Sequence, residues 1–347
     1  MNSLNKIIKI CCLSLICTLL VNFSFDKQSF AMVKSTKINL VWQPLVDNAN
    51  DLSQLNKIEG VNVVSPSWFI IDTADGHIQD NSDFLYARDV KAKGYKLWPL
   101  ITNNFDPEMT HKWLHDEASK AYIIRQLVYY AQRYPIDGYN FDFENIYDTD
   151  RDALSAFVEE STKALHKEHL TVSMDITVKS QMANWSSCYD RKRLGKALDY
   201  VILMAYDEHG RLSKTAGSVA SLKWVEDGVQ SLLQEVPAQK IILGVPLYTR
   251  LWQEDNKENV VAQTLNMPKT EEIIKQKNIN PTWLPVSGQY YFAYKEKGYT
   301  YKVWQENAKS LKLKVALVNK YNLAGVAAWR KGFETPDIWQ AINEEIE

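Results

Sequence analysis

Between Ile136 and Asn145 the chain reads Ile-Asp-Gly-Tyr-Asn-Phe-Asp-Phe-Glu-Asn, with Asn140, Asp142 and Glu144 alternating with Tyr139, Phe141 and Phe143. Successive side chains of a strand point to opposite faces, so these three polar groups are expected to share one face. Two carboxylates on a buried strand are costly to hide unless they do something. Close like charges also disfavour double ionisation and raise a carboxyl pKa. A carboxyl that keeps its proton near neutral pH is what a general acid needs.

The elements around this stretch must hold it in place. Short β-rich apolar runs recur at 38–42, 61–65, 96–101, 138–144, 170–176, 200–206, 240–246 and 325–329. Helical patterns separate several of them, at 119–133, 151–168, 221–234 and 306–321. Strands alternating with helices predict a parallel sheet. Eight such units, with no Gly-x-Gly-x-x-Gly turn after the first, predict an α/β fold: a (β/α)8 TIM barrel rather than an open doubly wound sheet. The gap between the seventh and eighth strands is too long for a simple loop. Within it, 289–294 and 299–304 flank a Gly-containing turn and predict a β-hairpin, in a small α+β insertion over about 249–304. Catalytic groups of such barrels sit at the C-terminal strand ends. Those ends carry Asp142 and Glu144 (fourth), Asp175 (fifth), Met204, Tyr206 and Asp207 (sixth), and Trp329 (eighth), with Tyr248, Arg250 and Trp252 beyond the seventh. Acidic, polar and aromatic groups converging there suit a sugar-cleaving site.

The first 31 residues read as a signal peptide: Lys6 and Lys9, an apolar run from Ile10 to Val21, and a small-x-small cleavage site at Ser29-Phe30-Ala31. The run is shorter than the roughly 20 residues that span a bilayer, so stable membrane insertion after cleavage is not expected. Residues 32–347 are then the catalytic barrel. Of the 4 cysteines, only Cys188 lies outside the leader, so no intramolecular disulfide is expected in the mature chain. The leader carries Lys6, Lys9 and Lys27 against Asp26, so its loss takes the formal charge from −2 to about −4. No basic block stands out, and nucleic acid is not expected as a partner. The 11 Trp and 18 Tyr fit a large core and also a carbohydrate groove.

Residues 137–144 resemble the glycoside hydrolase family 18 signature, Asp-Gly-x-Asp-x-Asp-x-Glu. Met204-Ala205-Tyr206-Asp207 is similar to that family's sixth-strand motif, and Gly325-Val326-Ala327-Ala328-Trp329 to its eighth-strand tryptophan. The resemblance covers roughly 36–345. Within the family it is nearest to the spore-germination type, the cortical-fragment lytic N-acetylglucosaminidases. The matching pieces are 98–103, 204–209, 244–250 and 328–330. Asn140 stands where most chitinases have the first Asp of the core, and the spore-type branch similarly has Asn there. The Ser-x-Gly-Gly of chitinase third strands is absent, and so are LysM-like wall-binding repeats.

The resemblance implies substrate-assisted retention on an N-acetylated sugar. Glu144 would be the acid, Asp142 would orient the acetamido group, and Tyr206 would hydrogen-bond its oxygen. Trp329 would floor the subsite, with Asp207, Asn140, Met204 and Asp175 as further binding or supporting residues. The expected substrate is peptidoglycan, as spore cortex or its fragments. Chitin is the same-class alternative, and a non-catalytic lectin-like barrel the different-class one. No cofactor or metal is expected, and the protein is expected to be a monomer, secreted and associated with cell wall or spore. His111 and His115 have the i, i+4 spacing of a metal pair but show no third ligand, so they read as a solvated helix face. Cys188 reads as inert, and His209 as either a cleft or an ordinary loop position.

Overall fold

The computed structural model describes residues 36–45, 51–257 and 259–346. The leader expected over 1–31 lies outside them. Eight parallel strands close on themselves: Ile38–Gln43, Val63–Ile71, a split third strand (Lys96–Leu97 and Leu100–Thr102), Gly138–Asp142, Thr171–Thr177, Tyr200–Met204, Ile241–Pro246 and Gly325–Trp329. The first strand pairs with both the second and the last, which completes the barrel. The third strand breaks at Trp98-Pro99, where proline has no N–H for the ladder.

Helices Glu117–Arg133, Arg151–Lys167, Leu222–Leu233 and Ala308–Lys320 cover the outside, close to the expected ranges. Residues that face them from the strands, such as Tyr139, Phe141 and Phe143, join a core shared with Leu127, Leu154 and Phe157. A smaller set fills the barrel interior: Leu40, Trp42, Val63, Trp98, Leu100, Ile202, Ile242 and Ala327. This is the packed interior of a small barrel rather than a pore. At Gly138 a Cβ would collide with the Thr171 carbonyl and come within 2.9 Å of Trp98 Cδ1, so glycine lets the fourth strand start against the fifth.

The insertion is larger in β content than the expected hairpin. Besides Gln289–Glu296 and Tyr299–Gln305, its antiparallel sheet contains Tyr248–Glu254, Val260–Asn266 and Thr282–Leu284, with helix Met267–Gln276 alongside. The strand at 248–254 follows the seventh barrel strand almost without interruption, which disguises it in the sequence. Buried Lys314 and Glu306, 3.0 Å apart, tie this region to the barrel, because Glu306 also accepts from Gln289 Nε2 at 2.5 Å.

Among the described residues, no helix is long and apolar enough to cross a membrane.

Candidate functional site

The fourth strand sends Asn140 and Asp142 into the barrel and Tyr139 and Phe141 outward, as its alternation predicts, and Phe143 joins the same outer core just past its end. The strand ends at Asp142, so Glu144 stands just beyond it on the rim. The backbone turns sharply there, with Asn145 at φ 51°. Asn103, fully buried at the end of the third strand, fixes Glu144 in place. Its Oδ1 accepts from Glu144 N at 3.0 Å, and its Nδ2 donates to Glu144 O at 2.8 Å. The same Nδ2 reaches Thr110 Oγ1 at 2.9 Å, and Tyr189 Oη donates to Phe143 O at 2.8 Å. Asp137, at the opposite end of the motif, is structural: it pairs with Lys91 and accepts from Leu97 N at 2.7 Å.

A polar chain crosses the barrel below the rim. Trp42 Nε1 donates to Asn140 Oδ1 at 2.7 Å, with Ser65 Oγ on the same oxygen at 3.3 Å. Asn140 Nδ2 donates to Asp175 Oδ1 at 2.8 Å. Asp142, beside this chain, has a buried Oδ1 with no hydrogen-bond partner. Such an atom is expensive to leave unpaired.

The electrostatics follow from burial. Asp142 is held well above the ordinary carboxyl range by desolvation and then by the charge of Asp175. Asp175 is raised by desolvation first and also by the charge of Glu144, against an opposing hydrogen bond from Asn140. Glu144 is raised by desolvation first, then by Asp142 and Asp207. The Tyr206 phenol is pushed up by burial and by Asp175, Tyr248, Asp142 and Glu144. Strands four, five and six therefore bring Asp142, Glu144, Asp175 and Tyr206 into one field, and the buried carboxyls favour their protonated forms.

Trp329 ends the eighth strand half-buried, edge-on to Trp42 with ring centroids 5.9 Å apart. Met204 ends the sixth strand and is 7% exposed. Tyr206 lies just past it, edge-on to Tyr248 at 6.3 Å. Asp207, at φ 60°, accepts from Tyr248 Oη and from Arg250 Nη2, each at 2.7 Å. The insertion's first strand thus reaches back to the sixth-strand motif.

A model of the family described as "Glycosyl hydrolases family 18" matches residues 41–333. The chain belongs to glycosyl hydrolase family 18. It is a glycosidase built on a (β/α)8 barrel. It is 31% identical over 264 residues to the uncharacterized glycosylase YvbX of Bacillus subtilis, a match covering 73% of this chain and 76% of that protein. It is 28% identical over 259 residues to the cortical fragment-lytic enzyme of Bacillus subtilis, covering 72% of this chain but only 60% of that relative's length. The crystal structure of a chitinase from Chromobacterium violaceum superposes with a TM-score of 0.81 at 26% identity, over 89% of this chain and 98% of that one.

Three groups around the site of this family 18 glycosidase carried no role in the sequence. Asn103 is a lone polar residue after a strand, and only folding places it on Glu144. Trp42 reads as an ordinary core aromatic until its ring N–H meets Asn140. Arg250 and Tyr248 stand out beyond the seventh strand, but their meeting with Asp207 is a tertiary event.

The reading of His111 and His115 as a solvated face without a third partner is corrected. Asp150, 1% exposed, lies between them, with Oδ1 at 2.9 Å from both His111 Nδ1 and His115 Nε2. Separations of 35 and 39 residues hid it. Cys188 is buried and its thiol is pushed up to about 12 by burial, so it is a poor nucleophile. His209 bonds the Ser218 carbonyl at 2.9 Å.

Proposed function

We propose that this glycosidase cleaves β-linked N-acetylglucosamine glycans, with bacterial peptidoglycan as its substrate, by substrate-assisted retaining catalysis. The observation that carries the reading is Asp142 Oδ1, buried and unpartnered beside a Glu144 whose carboxyl favours its proton. Asp142 accepts the acetamido N–H and turns the acetamido oxygen toward the anomeric carbon, while Tyr206 hydrogen-bonds that oxygen. Glu144 donates its proton to the glycosidic oxygen as the C1–O bond breaks, and the acetamido oxygen bonds to C1 to form an oxazolinium ion. The leaving sugar departs as an alcohol. Glu144, now a carboxylate, takes a proton from water as the water oxygen bonds to C1 and the acetamido oxygen leaves, with retention. This belongs to the exceptions to the two-carboxylate scheme, so Asp142 is no nucleophile. Trp329 stacks on the sugar, and Asp207 contacts hydroxyls. Asn140, Asp175 and Met204 support the pocket.

Peptidoglycan is favoured by Asn140 in the signature and by the likeness to a protein named cortical fragment-lytic enzyme. The leader fits export, with action at the cell wall or spore by a monomer. The likeness to a chitinase favours chitin as the second reading. Purified cortex peptidoglycan and chitin oligomers, digested side by side and read by mass spectrometry, separate the two. Fragments from chitin alone would overturn the peptidoglycan reading. Glu144→Gln should slow turnover by about 10²–10⁴-fold, the usual worth of a positioned acid.

A further inference from the structure

We propose that His111, His115 and Asp150 form a binding site for a divalent transition-metal ion of the zinc type, separate from the glycan site. His111 lies on helix Pro107–Leu114 and His115 is its C-cap, one turn further on, with the two rings 4.5 Å apart. An i, i+4 histidine pair on one helix face is a ready-made bidentate chelate. The third donor comes from the loop that follows Glu144. Asp150 occupies the N-cap position of helix Arg151–Lys167, where an aspartate normally caps its own helix. Its side chain makes no such cap bond. Both its oxygens turn instead to His111 Nδ1, each at 2.9 Å, and Oδ1 also meets His115 Nε2 at 2.9 Å.

The donor set and access both suit a metal. Two imidazole nitrogens and a carboxylate oxygen, lying within 4.8 Å of one another, supply three ligands and leave a fourth position for water. Tetrahedral zinc with bonds of about 2.0 Å separates its ligand atoms by about 3.3 Å, so the two carboxylate–imidazole edges, now 2.9 Å, need open by only a few tenths of an ångström, while the imidazole nitrogens, within 4.8 Å, settle by side-chain rotation. The rings are 45% and 51% exposed, which gives an ion a path in, while Asp150 is buried and its ion-pair partners among the described residues are these two imidazoles. A dication would neutralise that buried carboxylate. It would also clamp the helix to the loop after the fourth strand. Thr110 on that helix already bonds Asn103, whose amide holds Glu144, so the clamp would brace the mount of Glu144.

The test is zinc titration of the full chain by calorimetry, with a thermal melt in the presence and absence of ZnCl2. Wild type should bind one equivalent and melt at a higher temperature with zinc. The double variant His111→Gln/His115→Gln, which changes only half-exposed rings, should bind about 100-fold or more weakly, since loss of even an outer-shell partner costs roughly 10–100-fold. Its melt should no longer respond to zinc. Co2+ substitution should give a tetrahedral d–d spectrum without a thiolate charge-transfer band, which separates this site from the leader cysteines. Absence of stoichiometric binding by wild type, or equal binding by the double variant, would overturn the proposal and leave Asp150 as a hydrogen-bonded clamp alone.

Discussion

Asn103 holds the backbone of Glu144 from both sides, accepting from its N–H at 3.0 Å and donating to its carbonyl at 2.8 Å. The contact fixes where the Glu144 side chain begins without touching the carboxyl. Asn103→Ala should therefore lower kcat by about 100-fold, the cost of a small misplacement of a reacting group, with KM nearly unchanged. Steady-state kinetics on a soluble N-acetylglucosamine oligomer give both constants. An unchanged kcat would show that the rim holds Glu144 by other means.

Asp142 is unstable where it sits. Burial and Asp175 hold its carboxyl well above the ordinary range. In the unfolded chain the same carboxyl ionises near pH 4, at about its reference value. The contribution of this carboxyl to native stability is therefore fully present below about pH 4 and is lost as pH rises toward the folded pKa. Asn at this position cannot ionise. Asp142→Asn should melt like wild type near pH 4 and at a higher temperature near pH 8, while losing activity, as expected where a site trades stability for chemistry. A lower melting temperature than wild type at the higher pH would contradict this.

Asp207 and Arg250 form an asymmetric pair, the guanidinium 6% exposed and the carboxylate 46%. Removing the carboxylate strands a buried cation, whereas removing the cation leaves a carboxylate half in water. Asp207→Ala should thus cost about 3 kcal/mol of stability and Arg250→Leu clearly less. Denaturant melts of the two variants measure the order, and the reverse order would refute it.

Much of this was legible in the chain because it is local. Strand and helix periods, Pro and Gly placement, and the alternation of Tyr139, Phe141 and Phe143 with Asn140 and Asp142 all act within a few residues. The barrel follows from their repetition. The eight strands and the long hairpin at 289–305 lie close to where the sequence puts them. What was hidden depends on which residues meet after closure. Asn103 reaches Glu144 across 41 positions, and Trp42 reaches Asn140 across 98. No spacing rule connects such pairs. Likewise Asp150 between His111 and His115 is visible only once the loop after the fourth strand folds back on the preceding helix. The strand at 248–254 was lost for a different reason: it continues a buried strand with no turn signal to mark the change of sheet.

In the proposed mechanism the substrate's own acetamido group is the nucleophile, placed by Asp142, and the proton of Glu144 releases the leaving sugar. The most direct measurement compares wild-type cleavage of an N-acetylglucosamine oligomer with cleavage of the same oligomer after de-N-acetylation, following the anomeric configuration of the first product by NMR. Cleavage only next to N-acetylated residues, with the β-anomer released first, is the predicted result. Equal cleavage of the de-N-acetylated oligomer, or first release of the α-anomer, would contradict the account.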